Sequence, residues 1–140
     1  MDSIKSICVF CGSSAGSREE YSAKARTLGL LFVKKGISLV YGGSNVGLMH
    51  VIADTMMQTG GKVIGVMPHT LIEREVAHKA ITEFHVVETM AERKAVMNQL
   101  SDAFIAMPGG IGTLDELFEA MSWTQLDLIT KPVALVNVLG

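Results

Sequence analysis

The stretch Pro108-Gly109-Gly110-Ile111-Gly112-Thr113-Leu114-Asp115-Glu116 constrains this chain more than any other part of it. The run Ala103-Phe104-Ile105-Ala106-Met107 before it is short and apolar, as a buried strand is. After it, Leu114, Leu117, Phe118 and Met121 are spaced as one face of a helix. A strand, a glycine turn and a helix therefore follow one another. The glycines let the backbone bend sharply and clear side chains away from the peptide N–H groups. The turn delivers a ligand to a helix N-terminus, where unpaired N–H groups and the helix dipole favour an anion, phosphate above all. Neither common phosphate fingerprint, G-x-x-x-x-G-K-[ST] or G-x-G-x-x-G, is present, which sets the loop apart from ordinary nucleotidases and dehydrogenases.

Glu116 is unusual in that setting, because a carboxylate beside a phosphate site repels the ligand unless it has a task. Thr113 and Glu116 also have the T-x-x-E spacing of a capping box, in which Thr113 caps the helix and Glu116 bonds back to the cap residue. The spacing leaves cap and catalyst both open.

In chain order, Ile7 to Phe10 reads as a strand ending in the small-residue loop Cys11 to Ser17, where Ser13 and Ser14 are nucleotide contacts or plain turn residues. A helix over 19–35 follows, with Ala25, Leu28, Leu31 and Phe32 inward and Gly36 as its stop. A strand over 37–41 leads through Gly42-Gly43-Ser44-Asn45-Val46-Gly47 to a helix over 48–59, a second loop whose donors can converge on the same edge. Next come a strand over 62–67 stopped by Pro68, a weakly patterned segment over 69–82 readable as a short helix or a lid, and a strand over 84–87. Thr89 is placed to cap a helix reaching Leu100, in which Met90, Met97 and Ser101 form one stripe with Arg93 and Lys94 on either side. Lys94 reads equally well as a snorkelling surface cation, whereas the Arg93 guanidinium suits a two-point grip on phosphate or sugar. After the glycine turn, Trp123 falls about 180° from Leu114 on the helix, so an inward Leu114 implies an outward Trp123 and a dimer anchor. The last strand is expected over 132–138.

Strands alternating with helices, each apolar run bounded by glycine or proline, argue a Rossmann-like α/β fold: a single domain over 1–140 with a doubly wound parallel sheet covered on both faces. A formal charge of −2 gives no electrostatic case for nucleic acid or an anionic membrane. Apolar residues make up 49%, yet no apolar run approaches the ~18 residues of a membrane span, so surplus apolar surface points to a homodimer. Met1 to Ser6 leads straight into a strand without a signal peptide, which makes the cytoplasm the expected compartment. Cys8 and Cys11 form a C-x-x-C inside an apolar run and read as packing residues, and His50, His69, His78 and His85 have no metal-binding spacing. Neither a metal nor a cofactor is expected.

The motif P-G-G-x-G-T-x-x-E, preceded by Met90-Ala91-Glu92-Arg93-Lys94 and by Tyr41-Gly42-Gly43-Ser44-Asn45-Val46-Gly47-Leu48-Met49, resembles the Lonely Guy family over the chain from Ile7 onward. Those proteins are cytokinin riboside 5′-monophosphate phosphoribohydrolases, long labelled lysine decarboxylases. The resemblance implies hydrolysis of the N-glycosidic bond of an adenine-type nucleoside 5′-monophosphate, with Glu116 and Arg93 catalytic. It places substrate contacts at Gly109, Gly110, Ile111, Gly112, Thr113, Leu114 and Asp115 in the loop and helix. Gly43, Ser44, Glu75, Lys94 and Ser122 complete the implied set. A decarboxylase would need pyridoxal phosphate on a lysine, for which 140 residues leave little room. The other class in play is a non-catalytic carrier of a nucleotide or phosphorylated cofactor. Members of the family continue for some tens of residues through helices that pack on the sheet, so C-terminal helices are expected to be missing here.

Overall fold

Short apolar runs bounded by glycine or proline become the strands of one sheet, and the amphipathic stretches between them become its covering helices. The structure is a computed structural model that describes residues 3–140. Met1 and Asp2, on which the direct run into the first strand rests, lie outside the described residues. The elements run β1 (Ser6–Phe10), α1 (Glu19–Lys35), β2 (Ser38–Tyr41), α2 (Gly47–Gln58), β3 (Val63–Pro68) and a 3-10 turn (His69–Leu71). After that turn come β4 (Glu83–Val87), α3 (Met90–Leu100), β5 (Ala103–Ala106), α4 (Ile111–Gln125) and β6 (Val133–Leu135). Strand order is β4-β3-β2-β1-β5-β6, with every neighbouring pair parallel. The expected Rossmann-like fold is present.

Alternation along β1 shows how the sheet divides its core. Ile7 and Val9 face α1 and α2 together with Ala25, Phe32, Ile52 and Met56, while Cys8 and Phe10 face α3 and α4 together with Met97, Leu117 and Ala120. Because all strands are parallel, the loops after β1, β2, β3 and β5 share one edge. The chain reverses its direction of winding between β1 and β5, which opens a crevice at the carboxyl ends of those strands.

Three expectations are corrected. The inner stripe of α1 is Ala25, Gly29 and Phe32, with Leu31 42% exposed. Gly29 lets the two helices close up, since a Cβ there would sit 3.3 Å from Ile52 O of α2, and that contact turns Leu31 outward. On α4 the buried stripe is Thr113, Leu117 and Ala120, while Leu114, Phe118 and Met121 face out and Trp123 is half-buried. With apolar residues on both sides of the helix, periodicity alone could not choose the inner one. The last strand is three residues rather than seven, because it lies at the sheet edge with only β5 beside it.

The helix cap expected at Thr89 is present. Thr89 Oγ1 accepts the Glu92 N–H at 3.1 Å, and the Glu92 carboxylate accepts the Glu88 N–H at 2.8 Å. Replacing Thr89 with alanine should cost about 1 kcal/mol. Thermal melts should show a midpoint lower by roughly 2–4 °C, and an unchanged midpoint would mean that the cap is not stabilising.

Candidate active site

Arg93 defines the site, because a guanidinium 5% exposed must find acceptors inside the fold. Its Nε–H donates to Val66 O on β3 at 2.9 Å, and one terminal nitrogen donates to Gly42 O after β2 at 2.5 Å. The same nitrogen lies 3.1 Å from the Glu75 carboxylate, and the other reaches Met90 Sδ at 3.7 Å. A Cβ at Gly42 would collide with the guanidinium, so glycine is needed there for space rather than for an unusual φ. Thus α3, β3, the loop after β2 and the segment carrying Glu75 meet on one side chain.

Opposite Arg93 is the start of α4. Gly110 is the N-cap residue, Thr113 lies in the first turn, and Leu114 N–H donates to Gly110 O. The N–H groups of Ile111, Gly112 and Thr113 have no protein partner among the described residues, as expected for a helix start. Thr113 is buried and its side chain packs onto Gly109, where any Cβ would collide with it. Of the two readings the T-x-x-E spacing left open, the capping box therefore does not form. Glu116, one turn further on, projects into the cleft with no hydrogen-bond partner among the described residues.

Loss of hydration in this cleft pushes the Glu116 carboxyl up to about 7. Arg93 and Lys94 pull it down, and Asp115 and Glu75 push it further up. The cleft has a volume of about 130 Å³, and its walls include Val9, Phe10, Met49, Glu75, Arg93, Gly112, Thr113, Asp115 and Glu116. A poised carboxyl, a buried guanidinium and a free helix start thus surround one hollow.

The other sequence candidates are distributed around this hollow rather than gathered in it. Ser44 is fully buried, and its hydroxyl donates to Glu75 O at 2.6 Å, while Gly43 O accepts from His78 N–H. Both residues hold the Glu75 segment from behind. The second glycine loop does not present its helix start to the crevice, because Leu48 N–H and Met49 N–H donate to Gly12 O at 3.1 and 3.4 Å. Gly47 has φ +64 and lies so close to Ser13 that a Cβ would overlap its backbone, so this loop seals the edge. Ser13 lines the cleft, whereas the Ser14 hydroxyl accepts from Gly16 N–H as a turn residue does.

Lys94 binds Glu119 at 2.6 Å and Asp115 at 3.3 Å, tying α3 to α4. Gly109 lines a neighbouring hollow with Gly12 and Tyr21, and Gly110 precedes α4 in open space. Ile111, Leu114 and Ser122 lie along the outer face of α4 with Phe118. Met49 and Met90 also line the cleft; both stand in the stretches that carry the family resemblance, but neither was singled out as a contact. Cys8 and Cys11 are free and buried, and burial raises both thiols well above their ordinary range, as packing residues require.

Residues 49–140 match the family model described as "possible lysine decarboxylase". The chain belongs to the Lonely Guy family. Among curated Lonely Guy proteins, it is 50% identical over 137 residues to cytokinin riboside 5′-monophosphate phosphoribohydrolase LOG1 of Arabidopsis thaliana, covering 98% of this chain and 64% of that protein. It is also 50% identical over 134 residues to the probable phosphoribohydrolase LOGL1 of Oryza sativa subsp. japonica, covering 96% of this chain and 60% of that one. The chain therefore spans somewhat under two thirds of those relatives. Among solved structures it resembles the molybdenum cofactor carrier protein of Chlamydomonas reinhardtii, with a TM-score of 0.76 and 26% identity over 94% of this chain and 75% of that one.

The decarboxylase description does not fit this Lonely Guy cleft. No lysine lines it, and Lys94, the nearest candidate, has its ammonium form strengthened first by Glu119, whereas a Schiff-base lysine needs that form weakened.

The raised Glu116 carboxyl has a measurable cost. Since the folded protein holds that proton more tightly than the unfolded chain does, the associated stability is present at acid pH and is lost as pH rises through the interval from the ordinary glutamate range to about 7. Glu116→Gln should therefore be more stable than the wild type at pH 8, by roughly 1–3 kcal/mol, and no more stable near pH 4. Denaturant melts at the two pH values test this. A Gln variant less stable at pH 8 would show that the ionised carboxylate has a partner.

Proposed function

We propose that this protein hydrolyses the N-glycosidic bond of an adenine-type nucleoside 5′-monophosphate, giving free base and ribose 5-phosphate. The observation that carries the reading is the unpaired, half-buried Glu116 facing Arg93 across a cleft that opens on a helix start. The names of its Lonely Guy relatives point the same way.

The phosphate is held by the N–H groups of Ile111, Gly112 and Thr113, where the helix dipole adds attraction. Fixing the phosphate there positions the ribose and brings C1′ toward Glu116. As the bond from C1′ to the base nitrogen lengthens, positive charge develops on the ribose, and the Glu116 carboxylate stabilises it. Water then forms a bond to C1′ and gives its proton to Glu116, while the electron pair of the broken bond leaves with the base, which takes up a proton. A carboxyl poised at about 7 serves that exchange at neutral pH. Arg93 is held by protein acceptors on one side and keeps the remaining donors of its fork for ribose or base.

The cleft is smaller than the roughly 300 Å³ at which small-molecule pockets begin, so it encloses only part of a nucleotide. A second copy of the chain would supply the remaining cover. The outer face of α4 supports such a homodimer: Ile111 is 85% exposed and Phe118 60%, with Leu114 and Met121 beside them. Trp123 is half-buried and plays a smaller part than its sequence position implied. Two free thiols and the lack, among the described residues, of any helix able to cross a membrane suit a cytoplasmic protein.

Chromatography of the products from adenosine monophosphate and its N6-isopentenyl analogue tests the reaction. Wild type should release base from the monophosphates and far less from the nucleosides, and Glu116→Gln should be slower by roughly 10²–10⁴-fold while still binding. Tight nucleotide binding with no base released by either would favour a carrier, the role named for the Chlamydomonas structure. Phe118→Glu should convert a dimer to monomer in analytical ultracentrifugation. Unchanged association would remove α4 from the interface.

A further inference from the structure

Residues 72–78 form a strap that crosses the carboxyl edge of the sheet and presents Glu75 to Arg93. Its backbone is strained: Val76, a β-branched residue, has φ +50 in the left-handed region, where such residues are rare. Strain of that kind persists only when neighbours over-determine the conformation, and here they do. Asn45 N–H donates to Val76 O at 2.7 Å, His78 N–H donates to Gly43 O at 2.8 Å, and Ser44 forms an isolated antiparallel bridge with Ala77.

Among the described residues, one side chain of loop 42–46 adds to these backbone ties. Ser44 Oγ donates to Glu75 O at 2.6 Å, accepts from Val46 N–H at 3.3 Å, and is completely buried. Ser44 O in turn accepts from the Tyr41 hydroxyl at 3.2 Å. Two residues earlier, Gly42 O holds the Arg93 guanidinium. A single loop therefore grips both halves of the Arg93–Glu75 pair.

We infer that Ser44 is a positioning residue for the reaction: its hydroxyl locks the strap so that Glu75 stays on Arg93, leaving Glu116 the one unpaired carboxylate facing the guanidinium. The inference rests on the hydrolase reading for its kinetic consequences, not for its geometry. Without the Ser44 hydroxyl the Glu75 carbonyl loses its buried donor, and the strap can relax the strain at Val76 by moving away. The Glu75 carboxylate then leaves the cleft, and Arg93 is freed toward Glu116. Arg93 and Lys94 on α3, Asp115 on α4 and Glu75 on the strap are the charges acting on Glu116, and the thiols of Cys8 and Cys11 lie on its β1 side. Loss of Glu75 removes a like charge and exposes an opposite one.

The test is the pH profile of base release from adenosine monophosphate by wild type, Ser44→Ala, Glu75→Gln and the double variant. The acidic limb set by Glu116 should move to lower pH by about one unit in Ser44→Ala, and by a similar amount in Glu75→Gln. The double variant should show no further shift, because both changes act on one contact. A limb unmoved in Ser44→Ala but moved in Glu75→Gln, or two shifts that add, would overturn the proposal.

Should Ser44→Ala fail to melt cooperatively, Ser44→Cys is read in the same way, since it keeps nearly the same size and gives up most of the donor strength. Should the wild type release no base, carbon NMR titration of the Glu116 carboxyl in the same variants decides the matter without turnover. The wild-type result then counts against the hydrolase alone.

Discussion

A buried guanidinium must be satisfied from several directions at once, and much of this fold can be understood as meeting that demand for Arg93. Its acceptors come from a strand, from the loop after the neighbouring strand and from a strap 18 residues back in the chain, yet all converge because the parallel sheet gathers its loops on one edge. Breaking such a pair from one side leaves a buried charge uncompensated, a far larger penalty than a surface ion pair is worth. Gly42 is glycine because the guanidinium occupies the space of its side chain. Lys94, one position along, has no such role: its ammonium reaches two carboxylates of α4 and fastens two helices together. Adjacent cations on one helix thus separate into a site group and a structural clamp by about 100° of rotation.

Glu75 and Glu116, two of the carboxylates lining the cleft, separate in a comparable way. Glu75 is paired with Arg93, while Glu116 faces the same region without a hydrogen bond and carries the cost of desolvation. A carboxyl raised by burial inside a cleft is a recurrent mark of acid–base chemistry. Here the division depends on backbone: the strap fixes one carboxylate, and the early start of α4 at Ile111 places the other a full turn inside the helix. Had the helix begun after Thr113, Glu116 would have been drawn into a cap and away from the cleft.

That contrast shows what the sequence reveals and what it withholds. The alternation of apolar runs with glycine loops was sufficient for the parallel sheet and its helices, because burial on both faces leaves few other arrangements. That Arg93 and Glu116 belong to one cleft was legible from the motifs around them. The spacing T-x-x-E, in contrast, occurs at both Thr89 and Thr113, and only the first is a cap. What distinguishes them is the chain before each: Gly110 can serve as the N-cap residue three positions early, whereas extended Thr89 follows β4 after one residue. The inner face of α4 was illegible for a related reason. Leu114, Leu117, Phe118 and Met121 offer two apolar stripes, and tertiary packing against Phe10 and Phe104 selects the one with the small residues Thr113 and Ala120.

The stripe left outside then acquires its own significance. Ile111 and Leu114 belong to the same turns that supply the free N–H groups and carry Glu116, and Asp115 borders both the outer hollow and the cleft, so a cover over this face would reach the cleft's edge. Excluding water there would deepen the desolvation that raises the Glu116 carboxyl and would strengthen the pull of the helix start on an anion. Association and proton affinity would then be linked through one helix: a state that dries the edge of the cleft would favour the protonated carboxyl more than the free chain does. A partner docked there would change the chemistry of the site without contributing a single catalytic group.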